Sequence, residues 1–451
     1  MKSFLLSIIV FACFASAARA DDSFNPKPDE RFKTDLLVVV AHPDDETEIG
    51  AYLARAIFDE KKRVAVVFGT RGNQGGDSVG LAQSAALGVI REIEARQALA
   101  HFGVMNVWFL NGLDTPGQNV LGSLETWNHG DSLGRLIRII RLTRPSVIAT
   151  WLPVWVAGEN HGDHQAASVI ATEAFDMAAN PTAFPEQLAA PNNRYDIGNL
   201  TEGLHPWQPE KLYFFSDTAH PETLKGKGPA YSSTDISPSH HVPYARLAAE
   251  ECAFHLTQGD SGQVAKAALE KNDLHSFETP VQFVFGKSYV QSSATDDLFA
   301  GTIVATVPYH AAPGYIAPNL TAPTLELGGP WRFYTAFWQA HGLDTLPGLI
   351  APEIMAKPSN RFVIPVIVQN PTDIALPVKL SVELPEGWTF VRRPPSPFTV
   401  EAQIDYSYIF EAKTSSSQRG WKFITINAES AGQPIGTIRI RVELDPGAMP
   451  E

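Results

Sequence analysis

The chain has 451 residues, 44% of them hydrophobic, with 35 Lys and Arg against 49 Asp and Glu and two cysteines. That apolar fraction excludes a disordered chain, and the length predicts two or three folded units. The net charge of −14 argues against nucleic acid or an anionic membrane as a partner, since long-range repulsion opposes both.

The chain opens with Met1-Lys2, an apolar run from Phe4 to Phe14 and the small-residue site Ala18-Arg19-Ala20. A charged start, a short apolar core and an A-x-A site read as a secretory signal over residues 1–20. The protein is therefore expected to be exported, periplasmic or extracellular. Losing Lys2 and Arg19 with the leader leaves 33 cationic against 49 anionic side chains, a net charge of −16. Cys252 is then the only cysteine, so the exported fold must be held by its core and not by bridges. No later run reaches the ~20 apolar residues that a membrane helix needs.

From Asp35 short apolar runs alternate with helical patterns. Strands are expected at Asp35–Ala41, Arg63–Gly69, Asn106–Leu110, Val147–Trp151 and Lys211–Ser216, and helices at Thr47–Glu60, Leu87–His101, Ser132–Leu142 and His164–Ala179. Near-continuous apolar strands alternating with helices predict an α/β fold, a mostly parallel doubly wound sheet with helices on both faces. Ligands in such sheets sit beyond the C-terminal strand ends, where the strand order reverses. A further helix is expected over Tyr244–Thr257. Residues 291–355, rich in Pro, Gly and aromatics without a clear period, read as a connecting segment. Trp331, Phe333, Tyr334, Phe337 and Trp338 in it suit either sugar stacking or packing between units. Residues 356–447 carry six strand patterns separated by turn residues, the mark of an Ig-like β-sandwich.

The chemistry concentrates at two strand ends. Val38-Val39-Val40-Ala41 delivers His42-Pro43-Asp44-Asp45-Glu46, and the fourth strand is followed by His161-Gly162-Asp163-His164. Either alone could be a capped helix start, because acids suit a helix's first turn. Together, at neighbouring strand ends, they bring His42 and Asp45 close to His164. Two histidines and a carboxylate form the ligand set of a catalytic zinc or a non-haem Fe(II). Adjacent residues in a tight turn project apart, so one aspartate can ligate while the other accepts a proton from a metal-bound water. His161 suits stabilisation of an oxyanion or protonation of a leaving group.

This pair of motifs resembles the PIG-L/LmbE-like deacetylase family over about residues 33–290. The resemblance implies a Rossmann-like fold and metal-dependent, commonly zinc-dependent, removal of acetyl from N-acetylglucosaminyl groups. It implies His42, Asp45 and His164 as metal ligands, Asp44 as general base, His161 as transition-state stabiliser and Asp163 as a residue orienting the histidines. It extends to the Gly-rich loop Gly69-Thr70-Arg71-Gly72, and to Arg91-Glu92-Ile93-Glu94, which matches the family's Arg-x-x-Glu helix. Arg71, Asn73 and Arg91 stand on the substrate side in this reading. Asn73 otherwise belongs to a solvated loop, and Arg91 with Glu94 to a structural pair. His255, in His255-Leu256-Thr257-Gln258, lines the cavity or ends a helix. The loop departs from the family pattern, with Asn73-Gln74-Gly75-Gly76-Asp77 where an acid often follows the glycine.

The expected activity is hydrolysis of the acetyl amide of an N-acetylglucosamine-type sugar or glycoconjugate, with a small molecule or glycan as substrate and the oligomeric state left open. The same metal chemistry on another amide, or a non-catalytic carbohydrate-binding surface protein, are the alternatives. A spare Asp and His beside a complete ligand set favours an enzyme, since a binding protein has no use for them.

Overall fold

In a computed structural model the described residues are 28–155, 161–188, 204–218, 221–303, 307–349 and 351–444. The expected leader, residues 1–20, lies outside them. The first unit is built on five parallel strands, β1 (Leu36–Val40), β2 (Val64–Phe68), β3 (Val107–Phe109), β4 (Val147–Trp151) and β5 (Lys211–Phe215). A two-residue ribbon, β6 (Ala230–Tyr231) with β7 (Val281–Gln282), precedes the edge strand β8 (Val284–Ser288). The sheet order is β3-β2-β1-β4-β5-β8, and β8 alone runs antiparallel, against β5. Every residue of β1, β2, β4 and β5 is buried, which is why these strands are unbroken apolar runs and not alternating ones.

The helices are α1 (Gly50–Ala54), α2 (Ser84–His101), α3 (Val120–Thr126), α4 (His129–Thr143), α5 (Gly162–Met177), α6 (Tyr244–Cys252), α7 (Ser261–Lys271) and α8 (Pro330–His341). They pack in two groups, α3 with α4 and α5, and α1 and α2 with α6 and α7, as a sheet covered on both faces requires. In α4, Leu133, Leu136, Ile137 and Ile140 recur at helical spacing and are buried, while Asp131 and Arg135 pair at 2.7 Å on the outer side. No described helix is long and apolar enough to cross a membrane.

Strand order reverses between β2 and β4, the two neighbours of β1. Leu36 pairs with Val147 and Val39 with Thr150, so the carboxyl ends of β1 and β4 emerge side by side. The residues that follow them, from Ala41 and from Leu152, are thereby brought to one edge.

The second unit comprises β9 (Thr324–Leu327), β10 (Glu353–Ala356), β11 (Arg361–Asn370), β12 (Leu376–Glu383), β13 (Thr389–Arg392), β14 (Phe398–Val400), β15 (Ile404–Lys413), β16 (Gly420–Ser430) and β17 (Gln433–Leu444). They form a five-stranded sheet, β10-β17-β16-β12-β14, and a four-stranded one, β13-β15-β11-β9. Ile364, Val366 and Phe410 of one and Leu380, Ile424, Ile426 and Ile440 of the other are buried in a shared core.

Residues 291–355, expected to be a connector, hold more structure than their composition suggests. β9 pairs with β11 and β10 runs parallel to β17, so the sandwich draws strands from before residue 356. Between them α8 opens at Gly329-Pro330 and closes at the left-handed Gly342. Its Tyr334, Phe337 and Trp338 are buried by packing, at the helical spacing that the flanking Gly and Pro residues obscure in sequence. Tyr334 Oη meets Gln165 Oε1 of α5 at 2.6 Å, Trp338 Nε1 donates to the Pro153 carbonyl at 2.7 Å, and His341 Nδ1 lies 2.7 Å from Asp176 Oδ2.

A candidate metal centre at the carboxyl edge of the sheet

β1 ends at Val40, and the chain turns at once into a 3₁₀ helix, Asp45–Ile49, that leads into α1. Asp45 is buried, and its Oδ2 accepts three hydrogen bonds, from Ala41 N at 2.8 Å, His42 N at 2.9 Å and Trp151 Nε1 at 2.8 Å. Three donors on one oxygen fix the carboxylate and leave Oδ1 to point elsewhere. It stands 3.6 Å from His42 Nδ1 and 3.4 Å from His164 Nε2. Donors bound tetrahedrally at ~2.1 Å around a single zinc lie about 3.4 Å apart. Asp45 Oδ1 thus stands from each of these two imidazole nitrogens at about the spacing of two ligands on one ion. Among the described residues His164 Nδ1 is buried without a hydrogen-bond partner, and Trp151 stacks on the ring at 4.2 Å and 6°, so packing more than hydrogen bonding sets its plane.

His42 is held from its far side. Its Nε2 lies 3.2 Å from Asp163 Oδ2, and Asp163 is fully buried. The Thr115 amide and hydroxyl donate to that carboxylate at 2.8 and 2.7 Å. A carboxylate behind a histidine fixes its tautomer and presents the other nitrogen as a ligand. Burial works against charge on His42, but Asp163 and Asp45 outweigh it and raise its pKa well above the usual value. Burial likewise opposes ionisation of Asp163, yet the bond to His42 pulls its carboxyl down to about 2.

His161 caps α5, accepting the Asp163 amide at Nδ1 over 3.2 Å. With Nδ1 an acceptor, a neutral ring carries its proton on Nε2. Burial, then the neighbouring imidazoles of His42 and His164, push its pKa down to about 3, so the ring is neutral. Its centroid is 4.9 Å from that of His42 and 5.1 Å from that of His164. Gly162 lets this helix end press onto α3, since a Cβ there would sit 2.5 Å from Ser123 Oγ.

Asp44 adopts φ 115°, ψ −19°, a conformation that costs a non-glycine residue about 1–3 kcal/mol. Its amide donates to Glu46 Oε2 at 3.0 Å, and Ser261 Oγ donates to its Oδ2 at 3.3 Å. Burial first, and then the charge of Asp45, push its carboxyl up to about 7. The two aspartates therefore differ in kind. Asp45 has its carboxyl well below the usual range, because the imidazoles of His164 and His42 overcome its burial.

The substrate-side residues of the sequence reading have other occupations. Arg91 is buried, and its guanidinium donates to the carbonyls of Gly72, Gly76 and Thr257. Glu94 takes the amide and hydroxyl of the same Thr257, the latter at 2.7 Å. The Arg-x-x-Glu pair thus clamps residues 72–76 and 257, and its two members do not pair with each other. Arg71 lies 2.6 Å from Glu92 and also bonds Asn111. Asn73 is half-buried, with its Cβ 3.1 Å from where a Cβ on Gly88 would be. His255 is fully buried, 3.0 Å from Glu46 Oε1, behind the site and not on its wall.

Asp114 went unnoticed in the sequence. It follows β3, accepts the Gln74 amide at 2.8 Å through Oδ2, and has a buried Oδ1 with no partner among the described residues. Its carboxylate falls within 4.8 Å of ligand-type atoms of His42 and Asp163. An acid two residues beyond a glycine at a strand's carboxyl end was the available signal.

Fold and site define a Rossmann-like α/β protein with a His/Asp centre at the carboxyl edge of its sheet. The chain belongs to the PIG-L family, described as GlcNAc-PI de-N-acetylase, which it matches over residues 37–175. It is 30% identical over 219 residues to a 1D-myo-inositol 2-acetamido-2-deoxy-alpha-D-glucopyranoside deacetylase of Thermobifida fusca, covering 45% of this chain and 68% of that one. A Streptomyces avermitilis protein of the same name is 33% identical over 207 residues, covering 42% and 61%. One from Catenulispora acidiphila is 29% identical over 208 residues, covering 43% and 58%. The chain thus spans about three-fifths of the length of the latter two.

Proposed function

We propose that this protein is an exported, metal-dependent N-deacetylase that hydrolyses the acetamide of an N-acetylglucosamine-type sugar or glycoconjugate. The observation that carries the reading is the stance of Asp45 Oδ1 between His42 Nδ1 and His164 Nε2, at 3.6 and 3.4 Å, with Asp44 next to it in the chain and the His161 ring close to both imidazoles. Membership of the PIG-L family and relatives named as deacetylases of an N-acetylglucosaminyl inositol support the substrate class. The pattern of residues 1–20 supports export.

His42, Asp45 and His164 would hold the ion, with zinc the first choice and Fe2+ the alternative. A divalent cation there supplies a Lewis acid and brings the pKa of a bound water towards ~7. Asp44 accepts the proton of the attacking water at its carboxylate. His161 donates from Nε2 to the carbonyl oxygen as that oxygen gains charge, and being neutral it acts as a hydrogen-bond donor, not a counter-cation. Asp163 keeps His42 turned so that Nδ1 remains the ligand atom. Asp44 then returns its proton to the nitrogen, the C–N bond breaks, and acetate and a free amine leave.

The test is Asp44→Asn, assayed for acetate release from N-acetyl-D-glucosamine and from its α-linked inositol conjugate. The variant should keep its metal and lose on the order of 10²–10⁴ in kcat. Full activity in Asp44→Asn would remove Asp44 from the reaction. No chelator-sensitive acetate release by the wild type from either sugar would remove the substrate class.

A further inference from the structure

Behind the metal centre lies a buried polar chain that the reaction just described does not use. Glu46, Glu251 and His255 are each fully inaccessible to solvent. His255 Nε2 is 3.0 Å from Glu46 Oε1 and 3.8 Å from Glu251 Oε1. The other oxygen of Glu46 receives the amide of Asp44 at 3.0 Å. Two carboxylates and an imidazole in an apolar interior are costly, and apolar residues of similar volume would often serve stability as well or better. What the chain reaches is the one backbone amide whose residue stands at φ 115°.

The same stretch of chain reaches Asp44 a second time. His255 follows the end of α6, where its amide bonds the Cys252 carbonyl at 3.0 Å and its own carbonyl receives the Gly262 amide at 3.2 Å. A Cβ at Gly262 would stand 2.4 Å from that carbonyl oxygen, so the turn closes this tightly only with glycine. Arg91 and Glu94 grip Thr257 in its middle. At its end Ser261 Oγ meets Asp44 Oδ2 at 3.3 Å. Residues 255–262 therefore touch Asp44 through its amide, by way of Glu46, and directly through its carboxylate.

We propose that Glu46, His255 and Ser261 are positioning residues for Asp44. Glu46, braced by His255, holds the Asp44 backbone in its left-handed conformation, and Ser261 sets the direction of the carboxylate. This rests on the reading of Asp44 as the general base. A base displaced by an ångström from the water it must deprotonate loses rate without losing substrate affinity.

The experiment uses the full-length metal-loaded protein, with the α-linked N-acetylglucosaminyl inositol as probe. His255→Leu removes the donor to Glu46, whereas His255→Gln keeps an N–H at nearly the same place. We expect His255→Leu to keep one metal per chain and to lower kcat by about tenfold or more with KM within about twofold, and His255→Gln to recover most of the loss. On an Asp44→Asn background His255→Leu should cost about nothing further, because what it positions has gone. Should His255→Leu not fold, Ser261→Ala with Ser261→Thr carries the same comparison at the half-buried hydroxyl. An unchanged kcat, or losses that multiply in the double variant, overturns the proposal. So does a second metal per chain that disappears in His255→Leu, which would make the Glu46–Glu251–His255 cluster a cation site. Wild-type activity in Asp44→Asn fails the general-base reading itself, and this one with it. Lost activity in Asp44→Asn with none lost in His255→Leu fails only the positioning.

Discussion

Trp151→Phe is the perturbation that isolates how Asp45, the proposed metal ligand, is aimed. The indole does two things, donating from Nε1 to Asp45 Oδ2 at 2.8 Å and stacking on His164 at 4.2 Å. Phenylalanine keeps a ring over His164 and deletes only the donor. A hydrogen bond to a charged group contributes about 1.5–3 kcal/mol, and about 1.4 kcal/mol is a factor of ten in an equilibrium constant. If the whole bond bore on metal binding, the dissociation constant would rise by roughly 10- to 150-fold. Ala41 N and His42 N still hold the same oxygen at 2.8 and 2.9 Å, so the lower end, about tenfold, is expected. Trp151→Ala also strips the ring from His164 and should reach about 100-fold. The assay is competition for zinc against a chromophoric chelator at fixed pH and salt, with circular dichroism to establish that each variant is folded. Equal affinity in wild type and Trp151→Phe, or a weaker effect from Ala than from Phe, would refute the claim that the indole aims Asp45.

Three further outcomes are expected. His42 and His164 both have raised pKa values, from carboxylate neighbours that outweigh burial, so protons compete with metal above the pH usual for imidazole. Zinc affinity should fall as pH falls, by about tenfold per pH unit for each proton displaced. A pH-independent dissociation constant between pH 6 and 8 would contradict that. Metal bound to the folded state alone stabilises it by about 2.7 kcal/mol at a hundredfold excess over its Kd. Chelation should therefore lower the melting temperature, and an unmoved melting curve would place the ion elsewhere. Arg91→Leu leaves three carbonyls without their donor and should destabilise the fold by at least about 1–3 kcal/mol, read as a shift in the denaturation midpoint. A stable variant that loses only substrate affinity would return Arg91 to the substrate side.

His42, Asp45 and His164 could be singled out because the first two follow closely on one apolar strand and the third comes after another, and burial on both faces leaves such strands as unbroken apolar runs. His42 and His164 could be assigned to one site from the alternation of strands and helices, since a reversing sheet order makes neighbours of the first and fourth strand ends. The roles of Arg91 and His255 were not legible. Spacing puts Arg91 and Glu94 on one helix face, but it does not say that a passing backbone segment will occupy both. His255 similarly carries no mark in sequence of the buried glutamate 209 positions away that it meets. Asp114 was missed because a single acid after a strand has no companion motif. The strands and helix within 291–355 were hidden by glycine and proline, which mark ends of elements as readily as their absence.

The course of the chain between residues 324 and 356 has one more consequence. It lays a strand in the sandwich with β9, crosses to grip α5 and the Pro153 carbonyl with α8, and returns to the sandwich with β10. The two units are laced together and not strung in series. A cut before β9 removes the helix that braces the α/β unit, and a cut after α8 robs the sandwich of an edge strand. Among the described residues of 324–356, no single cut leaves both units whole, so a laboratory exchange of the C-terminal third must respect the lacing.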